Sequence, residues 1–222
     1  MNFLNYLQLL NIALTFFTII TGLRSFRNLK ENRILLFIPI LSLVQIILLE
    51  LKEIGRKKDE ISTFTNDMIS IYIYLEFLLI ILYLWKLSKT LKYKASTISL
   101  IPICIFSIII SLYSVNINRP LKVELLSLIE GPIILITALI IIIKLIKKEN
   151  INKYSRDSNL VATIGIFFSF IISWPTSIVQ NNILVYSSPF YKLNFIYNSI
   201  AYIILFSSLS YSFYVTRKYR TI

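Results

Sequence analysis

No histidine occurs anywhere in the 222 residues. That absence removes His-ligated haem or zinc, a histidine general base and a histidine proton relay. Cysteine is represented by Cys104 alone, so no internal disulfide can close and no cysteine-based metal site or redox pair can form. Glycine is scarce too, at four residues. Carboxylates, tyrosines and lysines are left for any chemistry. The chain is therefore expected to be no enzyme and to carry no cofactor and no metal, with a lipid-directed membrane enzyme as the only catalytic alternative.

What the sequence has in excess is apolar residues, at 56% of the chain with a mean hydropathy of +0.74. A soluble domain of this size does not need so many. They gather into runs of about 20, the length a helix needs to cross roughly 30 Å of hydrocarbon. Seven such runs predict transmembrane helices near residues 3–23, 34–51, 66–86, 97–115, 123–146, 159–180 and 193–215. The expected fold is an all-α, polytopic bundle of seven transmembrane helices forming a single domain over 1–222. The first run is too long for a signal-peptide core and lacks a basic leader and a small-residue cleavage site, so it reads as a retained helix and the mature chain is expected to start at Met1. No convincing internal repeat of three or four helices is visible.

The formal charge of +12 lies between the apolar runs rather than on one polar domain, which argues for membrane orientation and against nucleic acid. Basic residues collect on the cytoplasmic side of short loops. One set of connections holds sixteen Lys and Arg: Arg24, Arg27, Lys30 and Arg33; Lys86, Lys89, Lys92 and Lys94; Lys144, Lys147, Lys148, Lys153 and Arg156; and Arg217, Lys218 and Arg220. The opposite set holds seven: Lys52, Arg56, Lys57, Lys58, Arg119, Lys122 and Lys192. The N-terminus is thus expected outside and the C-terminus inside, in a bacterial inner membrane, with the basic loops against anionic headgroups.

Polar side chains within a span should face the bundle or a wet cavity, because each unsatisfied group in lipid costs several kcal/mol. On the first span Asn5, Gln8, Asn11, Thr15 and Thr18 recur at helical steps. Ser169, Ser173, Thr176 and Gln180 do so on the sixth, and Asn194, Asn198 and Tyr202 on the seventh. Small hydroxyl residues in such stripes ordinarily join helices at close range. Amides offer two donors and a carbonyl that small neighbours do not fully satisfy, so helix packing and ligand binding both remain open for them.

Glu76, in the run "YIYLEFLLIILYLW", and Glu130 differ in kind. A carboxylate at a helix centre costs roughly 2.5–3.5 kcal/mol on insertion scales and marks a candidate functional site. Neither has a lysine at its depth, which leaves a hydrogen-bonded anchor or a ligand and ion site as the two readings. With the N-terminus outside, Asn5, Gln8, Asn11, Gln45, Glu130, Gln180, Asn194 and Asn198 fall in the outer half of the membrane, with Glu76 as their floor. The expected site is a polar chamber opening outward, with Tyr72, one turn before Glu76, beside it. Gly131 and Pro132 directly follow Glu130, and Pro175 follows Trp174; Pro39 and Pro102 lie in the second and fourth spans. Each proline frees a backbone carbonyl one turn earlier and can kink its helix.

Tyr72 and Glu76, Glu130 followed by an apolar run to "KLIKK", Asp157 eight residues before Gly165, and then Asn194 and Asn198 form a pattern that resembles an uncharacterised family of bacterial seven-helix integral membrane proteins. The resemblance runs from about residue 70 to the end. It implies a seven-helix fold and a marked set of positions, and no particular activity. The chain departs from it in the sixth span, where "SNLVATIG" stands in place of an aromatic-rich "PxFWIxxG" and a later Gly-Asn pair is replaced around Ile172 and Ser173. Retinal proteins, eukaryotic seven-helix receptors and intramembrane proteases are excluded by the absence of a lysine within the seventh span, of "DRY" and "NPxxY", and of an adjacent Glu-Glu pair or a histidine. The function expected from this pattern is receptor-like or sensor-like. A small ligand, lipid or cation would bind in the chamber and the change would pass to a separate cytoplasmic or membrane partner. A proton- or cation-coupled transporter and a structural subunit are the alternatives.

Overall fold

The structure is a computed structural model and describes residues 3–29, 31–54, 59–91, 121–148, 157–182 and 188–219, with side chains over 3–29, 32–47, 75–91, 131–147, 157–175 and 192–218. Every regular element among the described residues is helical. Helix α1 spans Phe3–Ser25, a 3₁₀ segment spans Glu31–Leu36, and α2 follows over Phe37–Ile54. Then come α3 (Asp59–Thr90), α4 (Leu121–Lys148), α5 (Ser158–Asn182) and α6 (Ser188–Tyr219). These six α-helices, with the 3₁₀ segment, contain six of the seven apolar runs, so α4, α5 and α6 correspond to the fifth, sixth and seventh. The fourth run, 97–115, with Pro102 and Cys104, lies outside the described residues.

The helices overrun the apolar segments. α3 has 32 residues and α6 also has 32, about 48 Å each at 1.5 Å per residue. Hydropathy marks where charges begin, whereas a helix continues as long as its backbone hydrogen bonds are better made internally than to water. The second span differs in another way: residues 34–36 are 3₁₀, and the α-helix begins only at Phe37. Pro39 explains the change. It lacks an N–H and its ring would strike the carbonyl four residues back in an established helix, so it is tolerated in the first turn, where it now sits without requiring a kink.

Among the described residues, three helices are long and apolar enough to cross a membrane: Phe3–Ser25, Ser158–Pro175 and Lys192–Lys218. Their surfaces agree with that. Phe16, Phe17, Phe168, Ile171 and Tyr214 point outward and are exposed, while Thr15, Thr18, Ser25, Ser169, Ser210 and Ser212 are buried. Large apolar side chains outside and hydroxyls inside are the less usual arrangement for a protein folded in water. Lipid is as apolar as Leu, so burial of oil contributes little here and close packing with internal hydrogen bonds does the joining.

Contacts fix the helix directions. Thr18 meets Ser210 and Ser25 meets Phe213, so α1 and α6 run parallel. Ser212 donates to the Ser158 carbonyl at 2.8 Å, placing the start of α5 beside the end of α6. The Tyr83 hydroxyl reaches Asn159 O and Thr163 Oγ1, each at 3.2 Å, which sets the C-terminal half of α3 at that same end. Gly131 of α4 lies directly against the Trp174 indole of α5, where a Cβ would overlap the ring; α4 and α5 are therefore antiparallel. Helices α1, α3, α4 and α6 share one direction and α2 and α5 the other. Leu91 and Leu121 consequently lie at opposite ends of the bundle.

Asp157 caps α5, its Oδ1 accepting from Asn159 N at 2.8 Å and Leu160 N at 3.2 Å. This is the N-cap geometry for which Asp is well suited. Beside it, fully buried Asn32 of the 3₁₀ segment donates through Nδ2 to Ser212 Oγ at 3.0 Å. One polar knot thus ties the α1–α2 connection to α5 and α6. Aromatic residues and cations pair at this same end: Arg33 over Phe26, Lys89 over Trp85 and Lys218 over Tyr214, at 5.1, 5.6 and 5.8 Å from the ring centres. Such pairs suit a membrane–water boundary, where one part of the side chain is wet and the other oily.

Candidate functional site

The polar stripe of α1 divides into two parts. Its lower part packs onto α6. Thr18 Oγ1 lies 2.7 Å from Leu14 O and 3.1 Å from Phe206 O, within donating reach of either, and 2.7 Å from Ser210 Oγ. Its single proton goes to a carbonyl, which leaves Ser210 to donate back. Ser25 donates to Phe213 O at 2.9 Å. Gly22, between them, meets Leu36 and Phe213 so closely that a Cβ would overlap the Leu36 methyl. Small residues at 18, 22 and 25 therefore bring the two backbones together.

The upper part does not close. Gln8, Asn11 and Thr15 of α1, Ser42 and Gln45 of α2, and Asn194, Asn198, Ser199 and Tyr202 of α6 surround a cavity of about 310 Å³, with Ile12, Ile46, Phe195 and Phe206 completing the wall. That volume is at the low end of the roughly 300–1,000 Å³ of small-molecule sites. Five of the eight site residues expected from sequence are thereby brought together: Gln8, Asn11, Gln45, Asn194 and Asn198. The cavity lies at the end of the bundle where α1 and α6 begin. Below it Phe206, Leu209 and Phe213 are buried core.

Glu76 is not in the wall. Its Oε2 accepts from the Tyr202 hydroxyl at 3.5 Å, so the carboxylate stands behind a cavity residue rather than forming the floor. Depth along the membrane does not contain this relation between α3 and α6. Tyr72 and Glu130 are helical, on α3 and α4, and their side chains lie outside the described residues; so does that of Gln180. Asn5 is on the exposed face of α1. Gly131, which follows Glu130, accommodates Trp174.

Sequence reasoning passed over Ser42, Ser199, Phe195 and Phe206 as cavity residues. Ser42 stands one turn before Gln45, and Phe206 continues the four-residue spacing of Asn194, Asn198 and Tyr202. Tyr202 and Phe206 stack with centroids 5.6 Å apart and planes 20° from parallel. Within the wall Asn198 Nδ2 donates to Asn194 Oδ1 at 3.2 Å. Asn11 Oδ1 is enclosed with no hydrogen-bond partner among the described residues, a state that costs about 1–3 kcal/mol. Among the described residues no cluster of acidic or cysteine side chains could hold a metal ion.

No protein-family model matches the chain, and neither a curated protein nor a solved structure does.

Proposed function

We propose that the chain is a multi-pass inner-membrane protein of the receptor or sensor type, with seven spans, its N-terminus outside and its C-terminus cytoplasmic. It binds a small ligand in the outward chamber and passes the change to a separate partner. The observation that carries this reading is the convergence of five carboxamides from α1, α2 and α6 on one cavity. Carboxamides at mid-helix positions are costly in lipid, and helix packing alone does not require them to stand around a space. The resemblance to bacterial seven-helix proteins fits the same reading and adds no activity.

Direction supports the seven-span topology. Leu91 and Leu121 lie at opposite ends of the bundle, which fits a further span in the apolar run 97–115. Polarity supports the orientation, since Arg24, Arg33, Lys89, Lys144, Arg217 and Lys218 belong to the end opposite the cavity. In intact spheroplasts a membrane-impermeant thiol reagent should label Lys192→Cys, while Lys218→Cys should react only after lysis. The reverse pattern would overturn the orientation and with it the outward chamber.

A coupled transporter is the second reading, favoured by Glu76 one hydrogen bond behind the cavity. Transport requires a route past Phe206, Leu209 and Phe213, which are closely packed here. Solute counterflow in vesicles containing the purified chain separates the two: exchange marks a transporter, and its absence leaves the receptor.

A further inference from the structure

We infer that the turn after α1 and the 3₁₀ segment hold one anionic phospholipid, its phosphate among Arg24, Arg27 and Arg33 and an acyl chain along the outer face of α1. The inference rests on α1 crossing the bilayer and is independent of the cavity. Residues 24–33 include four basic residues and one acidic residue, Glu31, and basic clusters of that kind beside a span attract anionic lipid. Arg24, Arg27 and Arg33 are all exposed.

The turn that presents them is fixed. Asn28 N and Leu29 N donate to Ser25 O at 2.8 and 3.1 Å, and Phe26 N donates to Leu23 O at 3.2 Å. Leu29 is fully buried, and Asn32 is tied to Ser212. Arg33 folds back over this turn, its guanidinium carbon 5.1 Å from the Phe26 ring centre and its Nη2 donating to Arg27 O at 3.5 Å. One guanidinium is thereby ordered before an anion arrives, which reduces the entropy lost on binding.

Residue type and surface both favour a phospholipid. A guanidinium offers a planar fork of donors that meets two phosphate oxygens at once, whereas an ammonium is a point charge. The other ring–cation pairs at this end use Lys89 and Lys218. On α1, Phe16, Ile20 and Leu23 are exposed and recur at steps of four and three residues, so they share one face. Arg24 lies one turn after Ile20. Phe16 to Arg24 covers about 12 Å of helix axis, within the roughly 15 Å of one hydrocarbon leaflet. Phe26, also exposed, carries the apolar surface up to Arg33. An acidic protein would match the charges and not the apolar stripe that leads to them.

The test is native mass spectrometry of the full-length chain in detergent with equal amounts of dioleoylphosphatidylglycerol and dioleoylphosphatidylcholine, beside the variant Arg24→Lys/Arg27→Lys/Arg33→Lys, which keeps every charge. The expected result is one phosphatidylglycerol retained at least about fivefold better than phosphatidylcholine, and loss of that preference in the variant with unchanged thermal unfolding. Equal retention of the two lipids overturns the site. An undiminished preference in the lysine variant also overturns it and leaves diffuse attraction to charge. Displacement by glycerol phosphate, a headgroup without tails, assigns the patch to free phosphate, and displacement by polyglutamate assigns it to an acidic protein; either overturns the lipid. Where the triple variant does not fold, Arg33→Lys alone is read in the same way.

Discussion

The two halves of the α1–α6 seam share the same pair of parallel helices and the same helical stripe, yet one half is closed and the other is hollow. In the closed half Thr18, Gly22 and Ser25 let α6 approach until hydroxyls reach backbone carbonyls across the seam at 2.9–3.1 Å. In the hollow half Gln8 and Asn11 face Asn194 and Asn198 around about 310 Å³. Side-chain length separates the two. A hydroxyl one bond from Cβ can complete its hydrogen bond only at close range, whereas a carboxamide reaches further and must satisfy two donors and a carbonyl, which favours a space holding a polar guest. The closed half is thus an anchor, and the hollow half is the receptacle proposed above.

Substitutions in the two halves should behave differently, and the largest effect belongs to the anchor. Gly22→Leu places a branched side chain where even a Cβ overlaps Leu36; a loss of about 3 kcal/mol or failure to fold is expected, read by thermal unfolding in detergent. Tolerance of Leu there would break the comparison. Next is Tyr83→Phe, which removes a buried hydroxyl from Asn159 and Thr163 and should cost about 1–1.5 kcal/mol. Thr18→Val keeps the shape and deletes the links to Phe206 and Ser210, for a loss of about 1 kcal/mol by the same measurement.

The smallest stability effect is expected in the receptacle, where Asn198→Ala removes the link to Asn194 and should cost about 0.6 kcal/mol. If Asn198→Ala destabilises as much as Thr18→Val, the carboxamides are packing elements after all. The hollow half would then differ from the closed one only in degree.

Much of this was legible in the sequence, for identifiable reasons. Apolar runs of about 20 residues marked all six described helices, three of which are long and apolar enough to cross a membrane. The amides at 8, 11, 45, 194 and 198 were legible as a group because helical period fixes the face and helix direction fixes the end of the bundle. Glu76 was misplaced because depth contains no information about which side of a neighbour a helix occupies. Asp157 was conspicuous in the family-like pattern and is a helix cap. Gly131 and Trp174 were each conspicuous alone, and nothing in a one-dimensional pattern shows that one makes room for the other.

By itself, then, the sequence determined the chemistry available and the run of the chain: no histidine, no thiol pair, apolar helices with amides at defined depths, and basic residues gathered at alternate turns. Those follow from composition and from periods intrinsic to a helix. Only the tertiary structure decided which stretch of the polar stripe closes and which stays open, and that Glu76 stands behind Tyr202. These depend on distances between helices far apart in sequence, and such distances are set by the bulk of facing side chains, a property of pairs rather than of either residue alone.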